Sequence, residues 1–487
     1  MNKLATLILC FLLNIAFTQN EGNIWYFGSN AGLDFNGGAP VALTNGAMST
    51  VEGCSSISDN NGNILFYTDG TTVYNASHVP MPNGTALSGN SSSTQSAIIV
   101  QDPGNPDLYY VFTVSAFGNT GLNYSVVDMT LQAGLGDVTT LNSPIVSNTT
   151  EKVTAVKHAN GVDFWIVTLL ATTSPTSGFH SYLLTPTGLN LTPVVSNLGQ
   201  PNNIGYLRSN LQGDRIAVAN AYGGGDEVQL YDFDDNTGML SNELSFSRTA
   251  AYGVEFSPNG NLLYVSCENT TNTLYQYNLQ AGTGTITDIV NSEVNLSDLS
   301  STSAGGALQL GPDFKIYHSR VSLNTLGVIS DPDILGVGCN YNSTGQSLGT
   351  QSTLLGLPTF FNSIYNQSST SNLNICDGDS VLLYNGSFQN YNWSLASTPA
   401  VTISNDSAIT VSPNSNTSYL LVDGNDTAFF NVIVNPIPSV NLGPDINFCN
   451  QTSVVIKDPN LVGVDTLSFT WQDGTTADTL IAFTTGQ

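Results

Sequence analysis

The segment YDFDDNTGMLSNE sets Asp232, Asp234, Asn236 and Glu243 at the first, third, fifth and twelfth places of a loop. That spacing of oxygen ligands resembles an EF-hand-like calcium loop. The glycine stands at Gly238, one place late, and Asp-Asn-Thr-Gly is also ordinary hairpin chemistry. Structural calcium is nonetheless the one cofactor that the sequence suggests. The pairs Asp331 with Asp333 and Asp226 with Glu227 are weaker ligand candidates. Asp outnumbers Glu by 28 to 8, which reads as turn chemistry first and ligand chemistry second.

Catalytic patterns are missing. No GxSxG, HExxH, phosphate loop or GxGxxG after a strand occurs, so no catalytic residue is assigned. The four histidines are His78, His158, His180 and His318. His158 falls in a turn of a repeated pattern and His78 follows a hairpin; both read as structural or surface residues. A sialidase-like site needs clustered arginines, and the chain has only Arg208, Arg215, Arg248 and Arg320, with SISDNNGN out of register for the box such enzymes carry. Trp25, Tyr26 and Tyr74 are candidates for a glycan platform, although aromatics on such strands more often fill a core.

Charge excludes whole classes of partner. With 36 acidic and 9 basic side chains the net charge is −27 and the pI about 4.1, so nucleic acid is excluded. Anionic head groups are excluded too unless divalent cations bridge. Only 9% of the 487 residues are charged while 40% are hydrophobic. The shortage of Lys, Glu and Arg removes helix formers, so the fold class is all-β.

Residues 1–18 carry Lys3, an apolar run, and the small residues Ala16 and Thr18 before Gln19 and Asn20. This is the layout of a secretory signal peptide. Cys10 inside the run lacks the setting of a lipidated cysteine, and no later stretch can span a bilayer as a helix. Five cysteines remain, Cys54, Cys267, Cys339, Cys376 and Cys449, too sparse for a disulfide framework and without zinc spacing.

The elements that must position any site come from internal repeats. SSISDNNGNILFYT, IVQDPGNPDLYYVFT, AVKHANGVDFWIVT, LRSNLQGDRIAVAN, VEFSPNGNLLYVSC and LQLGPDFKIYHSR each join two strands through a polar turn. Gly62, Gly161, Gly213 and Gly260 are separated by 99, 52 and 47 residues, Gly104 fills the long gap, and Phe314 takes the glycine place in the sixth copy. Such a turn needs a residue with φ > 0. Further β segments follow each pair, giving the four-stranded unit of a propeller blade. A seventh unit assembles from both ends: residues 23–29, 31–36 and 40–43 lack an inner strand, and residues 354–363 supply one. A seven-bladed β-propeller over residues 19–365 follows. Its closure brings Cys339 toward Cys54, which suggests a disulfide between them.

The tail differs. A cysteine, short strands, Trp393 and a strand ending at Pro436 fit an Ig-like or PKD-like β-sandwich over residues 370–436. Cys449 and Trp471 restart the pattern in residues 437–487, where a second module is expected to be truncated, with the partner of Cys449 beyond Gln487.

IWYFGSNAGLDFN, PVALTNGAMSTVEGCSSISDNNGNILFYTDG, SSTQSAIIVQDPG, YYVFTV, YSVVDM, YGVEFSPNGNLLYVS, GALQLGPDFKIY and GLPTFF together resemble large secreted proteins of Bacteroidetes with PKD-like domains. These are exported by the type IX secretion system and sometimes labelled gliding-motility-associated. The resemblance implies a propeller, a string of Ig-like modules, a C-terminal sorting domain and the type IX export machinery as partner. It transfers no biochemical activity, and no sorting domain falls within the chain. Five triplets, with hydroxyls at Ser380, Ser407, Thr427, Thr466 and Thr479, resemble the Asp-Ser/Thr-aliphatic O-glycosylation signal of that phylum. All five lie after residue 370, although 18 of the 28 Asp residues precede it.

The expected function is a non-catalytic interaction protein, extracellular or on the outer cell surface, with the propeller as recognition head on an Ig-like stalk and a role in adhesion or gliding. The alternative is a polysaccharide-binding or polysaccharide-degrading accessory protein using the central face.

Overall fold

The computed structural model describes residues 20–116, 120–171, 178–199, 202–221, 227–268, 273–297, 303–365, 368–384, 391–406, 408–423, 426–435, 453–457 and 479–483. The segment expected as a signal peptide, together with Asp226, Ser407, Cys449, Thr466 and Trp471, lies outside the described residues.

Among the described residues the chain is all-β, with 37 strands, one short α-helix, α1 (Ile286–Asn291), and three single-turn 3-10 helices. None of its helices is long and apolar enough to cross a membrane. The first sheet holds β1 (Ile24–Phe27), β2 (Ala31–Asp34) and β3 (Val41–Leu43). The next two are β4 (Ser55–Ser58), β5 (Ile64–Thr68), β6 (Thr72–Asn75) and β7 (Pro80–Thr85), then β8 (Ala97–Asp102), β9 (Asn105–Val114), β10 (Leu122–Asp128) and β11 (Asp137–Val146). A five-stranded sheet follows, of β12 (Thr149–Lys157), β13 (Phe164–Leu170), β14 (Phe179–Thr185), β15 (Gly188–Leu189) and β16 (Val194–Ser196). Three more meanders complete the region. They are β17 (Leu207–Ser209), β18 (Arg215–Asn220), β19 (Glu227–Asp234) and β20 (Met239–Ser247); β21 (Ala251–Phe256), β22 (Leu262–Cys267), β23 (Leu274–Asn278) and β24 (Val294–Asn295); and β25 (Gly305–Leu310), β26 (Ile316–Arg320), β27 (Thr325–Ile329) and β28 (Tyr341–Ser347).

Each sheet is an antiparallel meander, and the first strands adjoin one another in chain order, β4 with β8, β8 with β12, β12 with β17, β17 with β21 and β21 with β25. This radial order is propeller-like. It explains the burial pattern. Strands covered by neighbouring sheets on both faces, such as β13 (FWIVTLL) and β22 (LLYVSC), are buried at every position. Outer strands such as β20 alternate between solvent and core.

The turns after the first strands repeat one geometry. Gly62, Gly161, Gly213 and Gly260 have φ of 80, 72, 77 and 71°, and Phe314 adopts 56° in the glycine place. In each, the amide of that residue bonds the carbonyl three residues back, at 2.9, 2.8, 3.2, 2.9 and 3.0 Å respectively. The copy around Gly104 departs from this: Asp102 pairs with Asn105 across a two-residue turn.

Residues 354–363, expected as an inner strand, form no ladder. They lie in an extended segment with isolated bridges, Ser352 to Ser29 and Pro358 to Cys54, which turns into a 3-10 helix at Asn362–Tyr365. Pro358 has no amide to give a ladder. Even so, Leu355 N donates to Val51 O at 2.9 Å, Thr359 N to Cys54 O at 2.7 Å, and Leu355 O accepts from Ala307 N at 2.7 Å. The segment therefore runs between β25 and β4. Gly356 is required there, because a Cβ would stand 1.8 Å from Glu52 O.

The expected Cys54–Cys339 disulfide is not formed; both are free, buried thiols. Cys54 faces the inner ring beside Pro358, whereas Cys339 follows β27 and sits against Tyr264 of β22. The distal end of the last meander is thus not where its inner strand meets Cys54.

A separate core belongs to residues 368–435. β29 (Ser368–Cys376) pairs in parallel with β35 (Asp426–Asn435) in a five-stranded sheet with β34 (Thr417–Asp423), β31 (Asn392–Leu395) and β32 (Thr398–Ser404). A two-stranded sheet joins β30 (Val381–Tyr384) to β33 (Ala408–Val411). Trp393, fully buried, packs with Leu383, Leu421 and Phe430. Beyond it, β36 (Ser453–Ile456) pairs with β37 (Leu480–Phe483).

Candidate functional site

The first strands run through the ring with a leading end and a turn end. At the turn end a cavity of about 400 Å³ opens, lined by residues from several sheets and the segment around Phe361. β12 ends in Lys157, whose ammonium lies 4.2 Å over the Phe164 ring. Burial holds the Lys157 pKa below its usual value. Gln101, from the end of β8, donates from its amide to the Tyr109 hydroxyl at 3.2 Å. Burial pushes that phenol up to about 12. Glu21 contributes a carboxyl with one buried oxygen, Oε2, that has no hydrogen-bond partner among the described residues. Its pKa is raised, by burial first and by Asp59 second. Asp235, Gln212, His158 and Phe361 complete the polar and aromatic wall.

The local fold positions this wall. His158 begins the turn, accepts the Asn160 amide on Nδ1 at 2.9 Å and stacks 5.7 Å from Trp165. Trp165 in turn donates to Asp235 O at 2.8 Å, which ties the β19–β20 hairpin to the cavity rim. Aromatic faces beside amides, a carboxyl and an ammonium suit a ligand with both apolar faces and hydroxyl groups. The axis beneath is plugged. Arg208, with no exposure, has its Nε 3.9 Å from the Glu255 carboxylate and donates to Leu308 O and Phe360 O at 3.3 and 3.4 Å.

The residues singled out from the sequence are mostly elsewhere. Asp232 accepts from the Asn242 amide at 2.7 Å, Asp234 caps its own turn through the Asn236 and Thr237 amides at 3.0 and 3.3 Å, and Glu243 reaches back to the Gly199 amide at 3.2 Å. These oxygens are engaged within and beside the hairpin. No three His, Cys, Asp or Glu converge as a metal site among the described residues. Asp331 and Asp333 likewise accept from Asn340 and the Asn259 amide. Glu227 accepts from Gln229.

Trp25 and Tyr26, offered above as a glycan platform, are buried, and Tyr74 is half-buried, stacked on Tyr67. His78 bridges Asn45 and the Tyr67 hydroxyl, and His180 meets the Tyr182 hydroxyl at 3.2 Å. His318 is buried against the Tyr341 hydroxyl at 2.9 Å, its pKa driven down to about 3 by burial and by Arg320. Ser380 is exposed before β30, Thr427 lies in β35, and Thr479 directly precedes β37. Sequence reasoning missed Glu21, Gln101, Lys157, Gln212 and Phe361 as a set. The available signal was that residues flanking the repeated turns differ from copy to copy while the turns do not.

No known family profile matches the chain, and no curated protein matches it. Among solved structures, a provisionally assigned 6-phosphogluconolactonase from Bacteroides fragilis aligns at 11% identity over 69% of this chain and 96% of that one, with a TM-score of 0.43. A quinonprotein alcohol dehydrogenase-like protein from Bacteroides thetaiotaomicron aligns at 12% identity over 70% and 79%, with a TM-score of 0.39. The β-propeller domain of Cps50 (Swd1) from Myceliophteria thermophila aligns at 13% over 62% and 94%, at 0.36. Likeness at this level carries no argument about activity.

Proposed function

We propose that the chain is a secreted or cell-surface recognition protein whose seven-bladed propeller binds its ligand at the turn end and is carried by Ig-like or PKD-like modules. Seven sheets, and the segment 351–360 hydrogen-bonded between β25 and β4, support the ring and its closure by the distal segment. The observation that carries the binding role is the cavity of about 400 Å³, assembled from turns that the ring alone brings together. Export through the type IX machinery and a role in adhesion or gliding rest on the family resemblance.

A second reading, a polysaccharide-binding or polysaccharide-degrading accessory protein, is favoured by Tyr109, Phe164 and Phe361 set beside Gln101 and Gln212. Glu21 and Asp235, both raised in pKa, would be its acid and base. A carbohydrate array together with a glycoside hydrolase panel on the full chain separates the two. Turnover lost in Glu21→Gln would overturn the non-catalytic reading; binding without turnover supports it.

A further inference from the structure

β12 carries two lysines, and their surroundings differ. Lys152 is buried and gives its ammonium to the carbonyls of Asn202, Asn203 and Ile204 at 2.8, 3.2 and 3.0 Å, so all three of its donors are met. Arg208, Arg248 and Lys315 each face a carboxylate, of Glu255, Glu293 and Asp313 respectively. Lys157 is half-buried in the cavity wall, yet among the described residues its ammonium has no hydrogen-bond acceptor and no carboxylate at ion-pair distance. Asp163 acts on it from farther off, its own carboxylate taken by the Asn160 amide at 2.8 Å.

Packing fixes where that charge stands. Lys157 and Phe164 are cross-strand partners at the ends of β12 and β13, and the ammonium lies 4.2 Å over the ring. Phe164 meets Phe361 edge to face at 5.1 Å, so one cation and two aromatic rings line a continuous stretch of the cavity. A ring face attracts the charge but leaves the three N–H groups without an oxygen acceptor. Burial works against the charged lysine, and an anionic group seated beside it restores the balance.

We propose, resting on the turn-end ligand site described above, that this cavity takes a saccharide of the uronic-acid type, its ring against Phe361 and its carboxylate on the Lys157 ammonium. A carboxylate attached directly to a sugar ring suits a cation held one aromatic ring away from a stacking face. The volume of about 400 Å³ falls within the span of small-molecule sites, about 300–1,000 Å³. Glu21 and Asp235, the carboxyls of the same wall, are pushed toward their neutral forms by burial, and a neutral carboxyl donates to an oxyanion. The net charge of −27 opposes broad anionic surfaces, whereas a single carboxylate in a cavity answers to local charges, because those beyond about 8 Å are screened at physiological salt.

The test applies matched oligosaccharides bearing glucuronate, sulfate or no charge to the full chain and to Lys157→Met, Lys157→Arg and Phe361→Ala, each checked for retained folding by circular dichroism. Glucuronate binding is expected to weaken about tenfold or more in Lys157→Met and in Phe361→Ala and to survive in Lys157→Arg, with the sulfated and neutral probes clearly weaker on the parent chain. Glucuronate binding that Lys157→Met leaves unchanged overturns the proposal. So do neutral or sulfated probes that bind as tightly as glucuronate and are lost in Phe361→Ala, a result that keeps the cavity as a ligand site. Absence of any binding that depends on Phe361 overturns the cavity site and the carboxylate together.

Discussion

Glu52 sets the clearest consequence at the scale of single residues. Its carboxyl is pushed up to about 8 from 4.5, by burial first and by the charges of Glu151 and Glu268 after it. A raised acid favours the folded state in its neutral form. That contribution is complete below about pH 4.5 and is lost as the pH climbs to about 8. The unfolding midpoint of the parent chain is therefore expected to fall between pH 5 and 8, and Glu52→Gln to flatten that slope in a thermal scan across pH. Arg208 offers a second check. Removing it in Arg208→Met strands the Glu255 carboxylate, which has no exposure, at a cost of about 3–5 kcal/mol. Adding Glu255→Gln recovers part of the loss, because the buried charge is removed while the side-chain oxygen still accepts from one of the Phe256 and Leu310 amides. Chemical denaturation of the single and double variants measures both. Neither residue was legible as important in the sequence, since an arginine in LRSNLQG and a glutamate ahead of β4 look like surface residues until the ring closes over them.

Among the elements, the repeated turns were the legible part. A polar tetrapeptide with glycine between two apolar strands encodes a local constraint, and the constraint appears as positive φ at Gly62, Gly161, Gly213 and Gly260. Phe314 shows that the ring can force the same conformation on a bulky residue. Around Gly161 nothing lies within 4 Å of an added Cβ, so Gly161→Ala isolates the backbone term. It is expected to destabilise by about 1 kcal/mol, read from denaturant midpoints. The closing segment was legible in position and not in form. Residues 354–363 were expected as a strand, yet Pro358 and the close approach of Gly356 to Glu52 leave it with isolated bridges. The Cys54–Cys339 pairing failed for a related reason: closure fixes which strands meet, and Cys339 lies past β27, against Tyr264.

Across the whole molecule, the hydrophobic clusters divide between residues 24–365 and residues 373–434. Two unfolding transitions are expected in calorimetry. Trp393→Ala removes the fully buried ring at the centre of the second cluster and is expected to lower only the transition of that unit, by about 3–5 kcal/mol. The composition already pointed to all-β structure, through its shortage of Lys, Glu and Arg. The cavity was beyond reach of the sequence because Glu21, Gln101, Lys157, Gln212 and Phe361 come from distant copies, and only the ring gathers them. The most direct test is therefore binding at that cavity: the full chain and its Phe361→Ala and Gln212→Ala variants are applied to one carbohydrate array. Retained folding with at least tenfold weaker binding in both variants is the expected result, and array binding that is identical in all three chains would contradict a ligand site at the turn end.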